Sequence, residues 1–85
     1  MQVLIPSALR SYTRAARVEA SGPTLGALLA DLERGHPGIR FRMVDEQDRL
    51  RPHMRVFVNG TPVLDLAQRL HADDDVAIVL ALSGG

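Results

Sequence analysis

An apolar run near the end of the sequence is the feature that most constrains the fold. Residues 76–82 (VAIVLAL) have the length and the β-branched content of a buried strand. The run is followed by Ser83, Gly84 and Gly85, where the sequence ends. Because these three small residues have nothing apolar to bury, we expect a loose tail that projects from a closing strand.

The predicted tail has a chemical use. At about 3.3–3.6 Å per residue, it would carry its terminal carboxylate roughly 10 Å beyond the folded domain. Glycine has no Cβ, so Gly84 and Gly85 fit a channel too narrow for any other residue. We therefore interpret the α-carboxylate of Gly85 as the reactive group. The alternative is a chance glycine pair, since glycine makes up about 7% of average proteins.

Length and composition exclude several classes of protein. A chain of 85 residues predicts one domain, residues 1–85, whose flexible tail is residues 83–85. Ten basic and ten acidic residues cancel, which argues against nucleic-acid or membrane binding driven by net charge. The absence of cysteine excludes disulfides and thiolate chemistry. With neither a signal peptide nor an apolar run of membrane-spanning length in the sequence, we expect a cytoplasmic protein.

The first part of the chain predicts a hairpin. Residues 1–6 and 17–21 have the alternation of two short strands. In the first strand, Leu4 falls on the face opposite to Val3. The connection, around residues 8–16, is expected to be a loop.

A helix is predicted over residues 25–34. Thr24 is a suitable N-cap, and Gly35 is placed to be a left-handed C-cap. Close packing against the sheet would explain Gly26, and Glu33 is expected to face solvent. Four leucines with helical spacing form the apolar face: Leu25, Leu28, Leu29 and Leu32.

The segment after this helix leaves two interpretations open. Ile39, Phe41 and Met43 are spaced by two, which indicates a strand. A short helical turn would instead bury Ile39 and Met43 together. Residues 45–52 are polar and charged and predict a loop.

The last three strands are well marked. Residues 54–58 and 61–63 flank Asn59-Gly60, the strongest short signal for a hairpin. An acidic turn, residues 73–75, leads into the final strand. The order of elements predicts an α+β fold, a mixed sheet of four to five strands with one main helix packed on one face. With the last strand parallel to the first, this is the β-grasp or ubiquitin-like arrangement.

Sites for catalysis or metal binding find little support. The histidines, His36, His53 and His71, lack ligand spacing, and residues 73–75 lack the pattern of a calcium loop. We expect that acidic turn to be solvated. The serines have no G-x-S-x-G context, and no glycine-rich phosphate loop is present. The chain is expected to bind no cofactor or metal and to catalyse nothing alone.

The outer face of the sheet offers a docking surface. If Ile78 points into the core, alternate residues of the last strand point outward and Phe57 can join them. The alternative, that arginines or a loop cover these residues, stays open. The predicted partner-binding residues are Phe57, Ala77, Val79, Ala81, Leu82 and Ser83.

Several short motifs occur in a specific order. They are Ile5-Pro6-Ser7-Ala8-Leu9-Arg10, Thr24-Leu25-Gly26-Ala27-Leu28-Leu29, His36-Pro37, Val58-Asn59-Gly60, the acidic turn and Ser83-Gly84-Gly85. Over essentially its whole length the chain resembles the MoaD/ThiS family of ubiquitin-like sulfur carriers. It is most similar to the CysO-like branch, which serves cysteine biosynthesis. Leu80-Ala81-Leu82 stands where many members have proline, and the acidic turn lacks their glycine.

This resemblance implies a mechanism and a set of partners. An E1-like enzyme would use ATP and magnesium to adenylate the Gly85 carboxylate and convert it to a thiocarboxylate. In the CysO-like branch, a pyridoxal-phosphate-dependent cysteine synthase accepts the sulfur and a JAMM-type metalloprotease releases cysteine. Other members serve as the small subunit of molybdopterin synthase or as thiazole-pathway carriers.

Two functions of another class remain open. A ubiquitin-like modifier would join Gly85 to other proteins, although a chain without lysine cannot build lysine-linked chains on itself. A β-grasp interaction domain would carry its glycine pair incidentally.

Overall fold

A mixed sheet runs through the centre of the molecule, in a computed structural model that describes residues 1–81. Its strands are β1 (Gln2–Leu4), β2 (Arg17–Glu19), β3 (Met54–Val58), β4 (Thr61–Val63) and β5 (Val76–Leu80). They lie in the order β2-β1-β5-β3-β4. β1 and β5 are parallel, and the other neighbours are antiparallel. The predicted β-grasp arrangement is confirmed.

The connection between β1 and β2 is not the simple loop that we expected. It contains a 3-10 turn, Ser7–Leu9, followed by a short helix, α1 (Arg10–Thr13). Leu9 is buried and Tyr12 packs against the core. The segment is too short to show helical periodicity, and its conformation is fixed by the burial of these two side chains.

The main helix, α2 (Leu25–Gly35), packs its leucines into the core as predicted. The Thr24 hydroxyl accepts a hydrogen bond from the Ala27 N–H at 3.2 Å, which confirms the N-cap. The predicted left-handed cap at Gly35 is wrong. Gly35 is helical, and the chain leaves the helix through His36, whose φ of −140° and ψ of 76° are neither helical nor left-handed.

Gly26 is a site of close packing, but its neighbour was predicted wrongly. It lies against the connection between β4 and β5 rather than against the sheet. The Gly26 N–H donates to the Leu66 carbonyl at 2.8 Å, and a Cβ would stand 3.3 Å from that oxygen. A long-range contact of this kind leaves no local sign in the sequence.

Residues 39–43, for which the sequence left a strand and a helical turn open, form a helix. α3 (Ile39–Met43) buries Ile39 and Met43 together and leaves Phe41 63% exposed. Gly38 precedes it with φ 97°, a backbone conformation that glycine adopts at little cost.

The β3–β4 hairpin and β5 have the expected geometry. Asn59 and Gly60 have φ of 50° and 83°, as a type I′ turn requires. Along β5, Val76 and Ile78 are buried, and Val79 is 40% exposed. The predicted inward orientation of Ile78 is confirmed.

None of the helices in residues 1–81 has the length and apolar character that crossing a membrane requires.

Burial predicts that two leucines contribute very differently to the free energy of unfolding. Leu28 is fully buried, whereas Leu64 is 74% exposed. Leu28→Ala should lower the free energy of unfolding by about 2–5 kcal/mol, because it leaves a cavity between α2 and the sheet. Leu64→Ala, the matched control, should change it by less than about 0.5 kcal/mol. Urea unfolding followed by circular dichroism measures both, and equal effects would contradict this packing.

Candidate functional site

The predicted reactive tail follows a strand that is held on both sides. Ala77 of β5 pairs with Leu4 of β1 and with Phe57 of β3. Past the end of the strand, the Ala81 N–H still donates to the His53 carbonyl at 2.7 Å. The chain is therefore anchored as far as Ala81, two residues before the predicted tail. Four predicted site residues lie outside the described residues: Leu82, Ser83, Gly84 and Gly85.

The outward-pointing residues of the sheet form an apolar row. Cross-strand pairing aligns Leu4, Ala77, Phe57 and Pro62 from β1 to β4. Val79 lies one pleat further along β5. We call these five residues the outer apolar face. Ala77, Val79 and Phe57 are placed there as predicted, whereas Leu4 and Pro62 were missed because they join only through the register.

Arginines leave part of this face uncovered. Arg55 is the cross-strand partner of Val79. Its Nη1 donates to the carbonyls of Pro52 at 2.7 Å and Met54 at 3.0 Å. Val79 stays 40% exposed beside it. A docking role for the outer apolar face stays a prediction, with the surface accessible at Val79.

The acidic turn clamps the start of β5. The Asp74 carboxylate accepts hydrogen bonds from the His71 N–H at 2.8 Å and from Asn59 Nδ2 at 2.9 Å. Asn59 Oδ1 in turn accepts from the Asp75 N–H at 2.9 Å. The hydrogen bond from His71, followed by that from Asn59, lowers the pKa of Asp74. Asp74 is buried, so the expectation of a fully solvated turn is wrong for this residue.

Both oxygens of the Asp74 carboxylate therefore serve the fold. Oδ2 closes the turn at His71, and Oδ1 ties the β3–β4 hairpin to the start of β5.

Within the described residues, no three histidine or carboxylate side chains come together in a group that could hold a metal ion.

A cleft opens beside the end of β5, with a volume of about 510 Å³. The Arg51 guanidinium carbon lies 4.7 Å from the centre of the Phe41 ring, and its Nε donates to the Phe41 carbonyl at 2.8 Å. We call this the tail cleft, because Ala81 forms part of its wall. Its lining residues are Phe41, Arg42, Arg51, His53, Met54, Leu80 and Ala81.

The sequence did not single out Phe41, Arg42 or Arg51. A helix over residues 38–43 places Phe41 on a different face from the buried Ile39 and Met43. The sequence left this helix and a strand as two open interpretations. The cleft also needs the end of β5 to lie beside α3, which is a tertiary contact.

Glu33 holds α3 in place. Its carboxylate accepts hydrogen bonds from the N–H groups of Gly38 at 2.9 Å and Arg40 at 3.0 Å. These are donors at the start of α3 that otherwise lack partners. The bond from Gly38, followed by that from Arg40, lowers the pKa of Glu33. Glu33 is half-buried rather than fully solvent-facing as expected, and its carboxylate also orients the helix that carries Phe41.

With this geometry in place, comparison with known proteins gives the family. The chain matches the ThiS family over residues 3–85. It belongs to the ThiS family. The sulfur carrier protein CysO of Mycobacterium tuberculosis is 37% identical to this ThiS-family chain, with 98% of this chain and 96% of the relative covered.

Solved structures of two relatives have the same fold. One is in the crystal structure of the Amycolatopsis orientalis BexX/CysO complex, at a TM-score of 0.91, 34% identity and coverage of 99% of this chain and 98% of that one. The other is small archaeal modifier protein 1 from Haloferax volcanii, at a TM-score of 0.79, 27% identity and coverage of 100% and 98%.

The Glu33 cap predicts a pH-dependent contribution to stability. Because folding lowers its pKa, Glu33 stabilises the fold above its ordinary value of 4.5, and this contribution is lost as pH falls through the folded pKa. Glu33→Gln should therefore be less stable than the wild type at pH 7. The difference should shrink progressively below pH 4.5.

Urea unfolding at pH 7 and pH 3 measures this change. Glu46→Gln is the control, because the Glu46 carboxylate makes no hydrogen bond to the described part of the chain. A Glu33→Gln deficit that is the same at both pH values would contradict the assignment.

Proposed function

We propose that this chain is a sulfur carrier, in which an E1-like enzyme activates the Gly85 carboxylate and converts it to a thiocarboxylate. One observation carries the proposal most directly. The likeness to a sulfur carrier protein covers 98% of this chain, and a Ser-Gly-Gly sequence follows immediately after the anchored strand β5.

The proposed chemistry needs an activated carboxylate. A carboxylate oxygen of Gly85 attacks the α-phosphorus of ATP, held with magnesium by the partner enzyme, and pyrophosphate leaves. A hydrosulfide ion supplied by the partner system then attacks the carbonyl carbon, the C–O bond breaks and AMP leaves. Loss of the S–H proton gives the thiocarboxylate. Compared with the carboxylate, it is the better nucleophile toward the acceptor.

The described residues support this role by position rather than by catalysis. The hydrogen bond between Ala81 and His53 fixes the point where the tail begins. Residues 82–85 span at most about 14 Å, so Gly85 reaches an active site only when the folded part lies close to it. The chain is then a cosubstrate that is consumed and regenerated by partner enzymes.

The sulfur acceptor is proposed from the relatives. A CysO-type carrier delivers sulfur to cysteine biosynthesis, through a pyridoxal-phosphate-dependent cysteine synthase, with a JAMM-type metalloprotease releasing the product. Delivery to molybdopterin or thiazole precursors is the alternative within the family. The outer apolar face, which is open at Val79, is the proposed docking surface for these enzymes.

A second candidate function has one observation in its favour. SAMP1 of Haloferax volcanii, a relative at 27% identity and a TM-score of 0.79, is named small archaeal modifier protein 1. As a modifier, the chain would form Gly85-dependent conjugates with other proteins, visible as a ladder on a blot of cell extract. Such a ladder, absent from a variant without Gly85, would favour this function over sulfur transfer.

Adenylation of Gly85 is testable by ATP–pyrophosphate exchange with the E1-like enzyme of the cells that make this chain. The wild-type chain should support exchange, and deletion of Gly85 should reduce it to background because the reacting carboxylate is displaced. Leu64→Ala, an exposed substitution on a surface unrelated to the tail, is the control and should retain exchange. Equal exchange with and without Gly85 would overturn the proposal.

The narrow-channel interpretation gives a separate prediction for Gly84. Gly84→Ala adds one methyl group to the predicted tail, where we expect no packing, so the melting temperature should not change, whereas sulfur loading should fall sharply because the Cβ crowds the channel. Intact mass after co-expression with the activating enzyme measures the loaded fraction. Full loading of Gly84→Ala would show that the channel tolerates a side chain.

A further inference from the structure

The tail cleft has an apolar wall and a cationic rim. Met54, Leu80 and the Phe41 ring supply apolar surface, and Arg42 and Arg51 supply the charge. Phe41 is 63% exposed, which is unusual for an aromatic ring of this size. The ring is also held in place, since Arg51 stacks on it and bonds to its carbonyl.

The residues that line this cleft carry only positive charge although the chain is neutral overall, and Asp45 of the adjoining loop is close enough to Arg51 to interact with its charge. No carboxylate is among the described residues that line it. The acidic residues of the 44–50 loop line a separate hollow, which Phe41 also borders. One of them, Asp48, pairs with Arg40 at 3.2 Å. The Arg42 side chain makes no hydrogen bond or ion pair with residues 1–81, so the described part of the chain does not occupy its guanidinium donors.

The short distance between Ala81 and Gly85 limits which surface can cover this cleft. Residues 82–85 span at most about 14 Å, so an enzyme acting on Gly85 must bring its surface against the point where the tail begins. Ala81, Leu80 and His53 surround that point and also line the tail cleft. An enzyme surface in that position would face Phe41, Arg42 and Arg51.

We propose that the tail cleft receives an acidic element at the channel rim of the adenylating enzyme. Carboxylates of this element pair with the guanidinium groups of Arg42 and Arg51, and an apolar side chain packs between Phe41 and Leu80. The inference rests on the proposed function. It adds a second docking surface, on the α3 side of the tail, to the outer apolar face of the sheet.

Kinetics of ATP–pyrophosphate exchange test this surface, with the chain as the varied substrate of the same adenylating enzyme. The double variant R42E/R51E should raise the KM for the chain at least about tenfold, because charge reversal replaces attraction with repulsion. The kcat should stay within about twofold, because neither arginine belongs to the tail. Arg69→Glu is the matched control: Arg69 is exposed, lies outside the cleft and should leave the KM unchanged.

Two further measurements keep the test decisive. Since Arg51 also bonds to the Phe41 carbonyl, R42E alone is measured beside the double variant, and it should raise the KM without changing the melting temperature. Rising salt should raise the wild-type KM more than that of R42E/R51E. An R42E/R51E chain with the KM of R69E would overturn the inference. A wild-type chain that supports no exchange would instead overturn the proposed function itself.

Discussion

The hydrogen-bonded position of β5 is the constraint on which the rest of the structure depends. The strand pairs in parallel with β1, which opens the chain, and along its whole length with β3. At its start, Asp74 and Asn59 tie the acidic turn to the β3–β4 hairpin. At its end, the bond from Ala81 to His53 closes the last rung. The chain is thus fixed at both ends of the strand that precedes the glycine pair.

A carrier needs a stable folded domain and a reactive group that its partner enzymes can reach, and the anchoring of β5 assigns these two requirements to different parts of the chain. The core that the structure describes is built from α2 and the inner face of the sheet. The predicted tail carries the reactive group of the proposed function. Two accessible surfaces flank its origin, the outer apolar face on one side and the tail cleft on the other. A partner that handles Gly85 has both within reach, since Gly85 is only four residues beyond Ala81.

Strong local signals in the sequence predicted the elements that carry the topology. Thr24 with its leucines marked α2, Asn59-Gly60 marked the hairpin, and the apolar run marked β5. Each signal depends on neighbours within a few residues, so it is readable without the tertiary structure. Their order was enough to identify the fold.

The remaining features depend on contacts between distant residues. The helical conformation of α3 depends on Glu33, whose carboxylate caps its start, and on Gly38, which precedes it with a positive φ. Gly26 is explained by Leu66, forty residues away in the chain. The outer apolar face needs the register that aligns Leu4 with Ala77, and the tail cleft needs α3 beside the end of β5. Periodicity assigns a residue to a face, but it does not say which faces meet.

The most direct measurement is the intact mass of the protein purified under anaerobic conditions from the cells that make it. If Gly85 carries sulfur, a species heavier by one exchange of oxygen for sulfur is present, and fragmentation places the change at Gly85. A purely unmodified mass, even after co-expression with the activating enzyme, would contradict the assignment of this chain as a thiocarboxylate carrier.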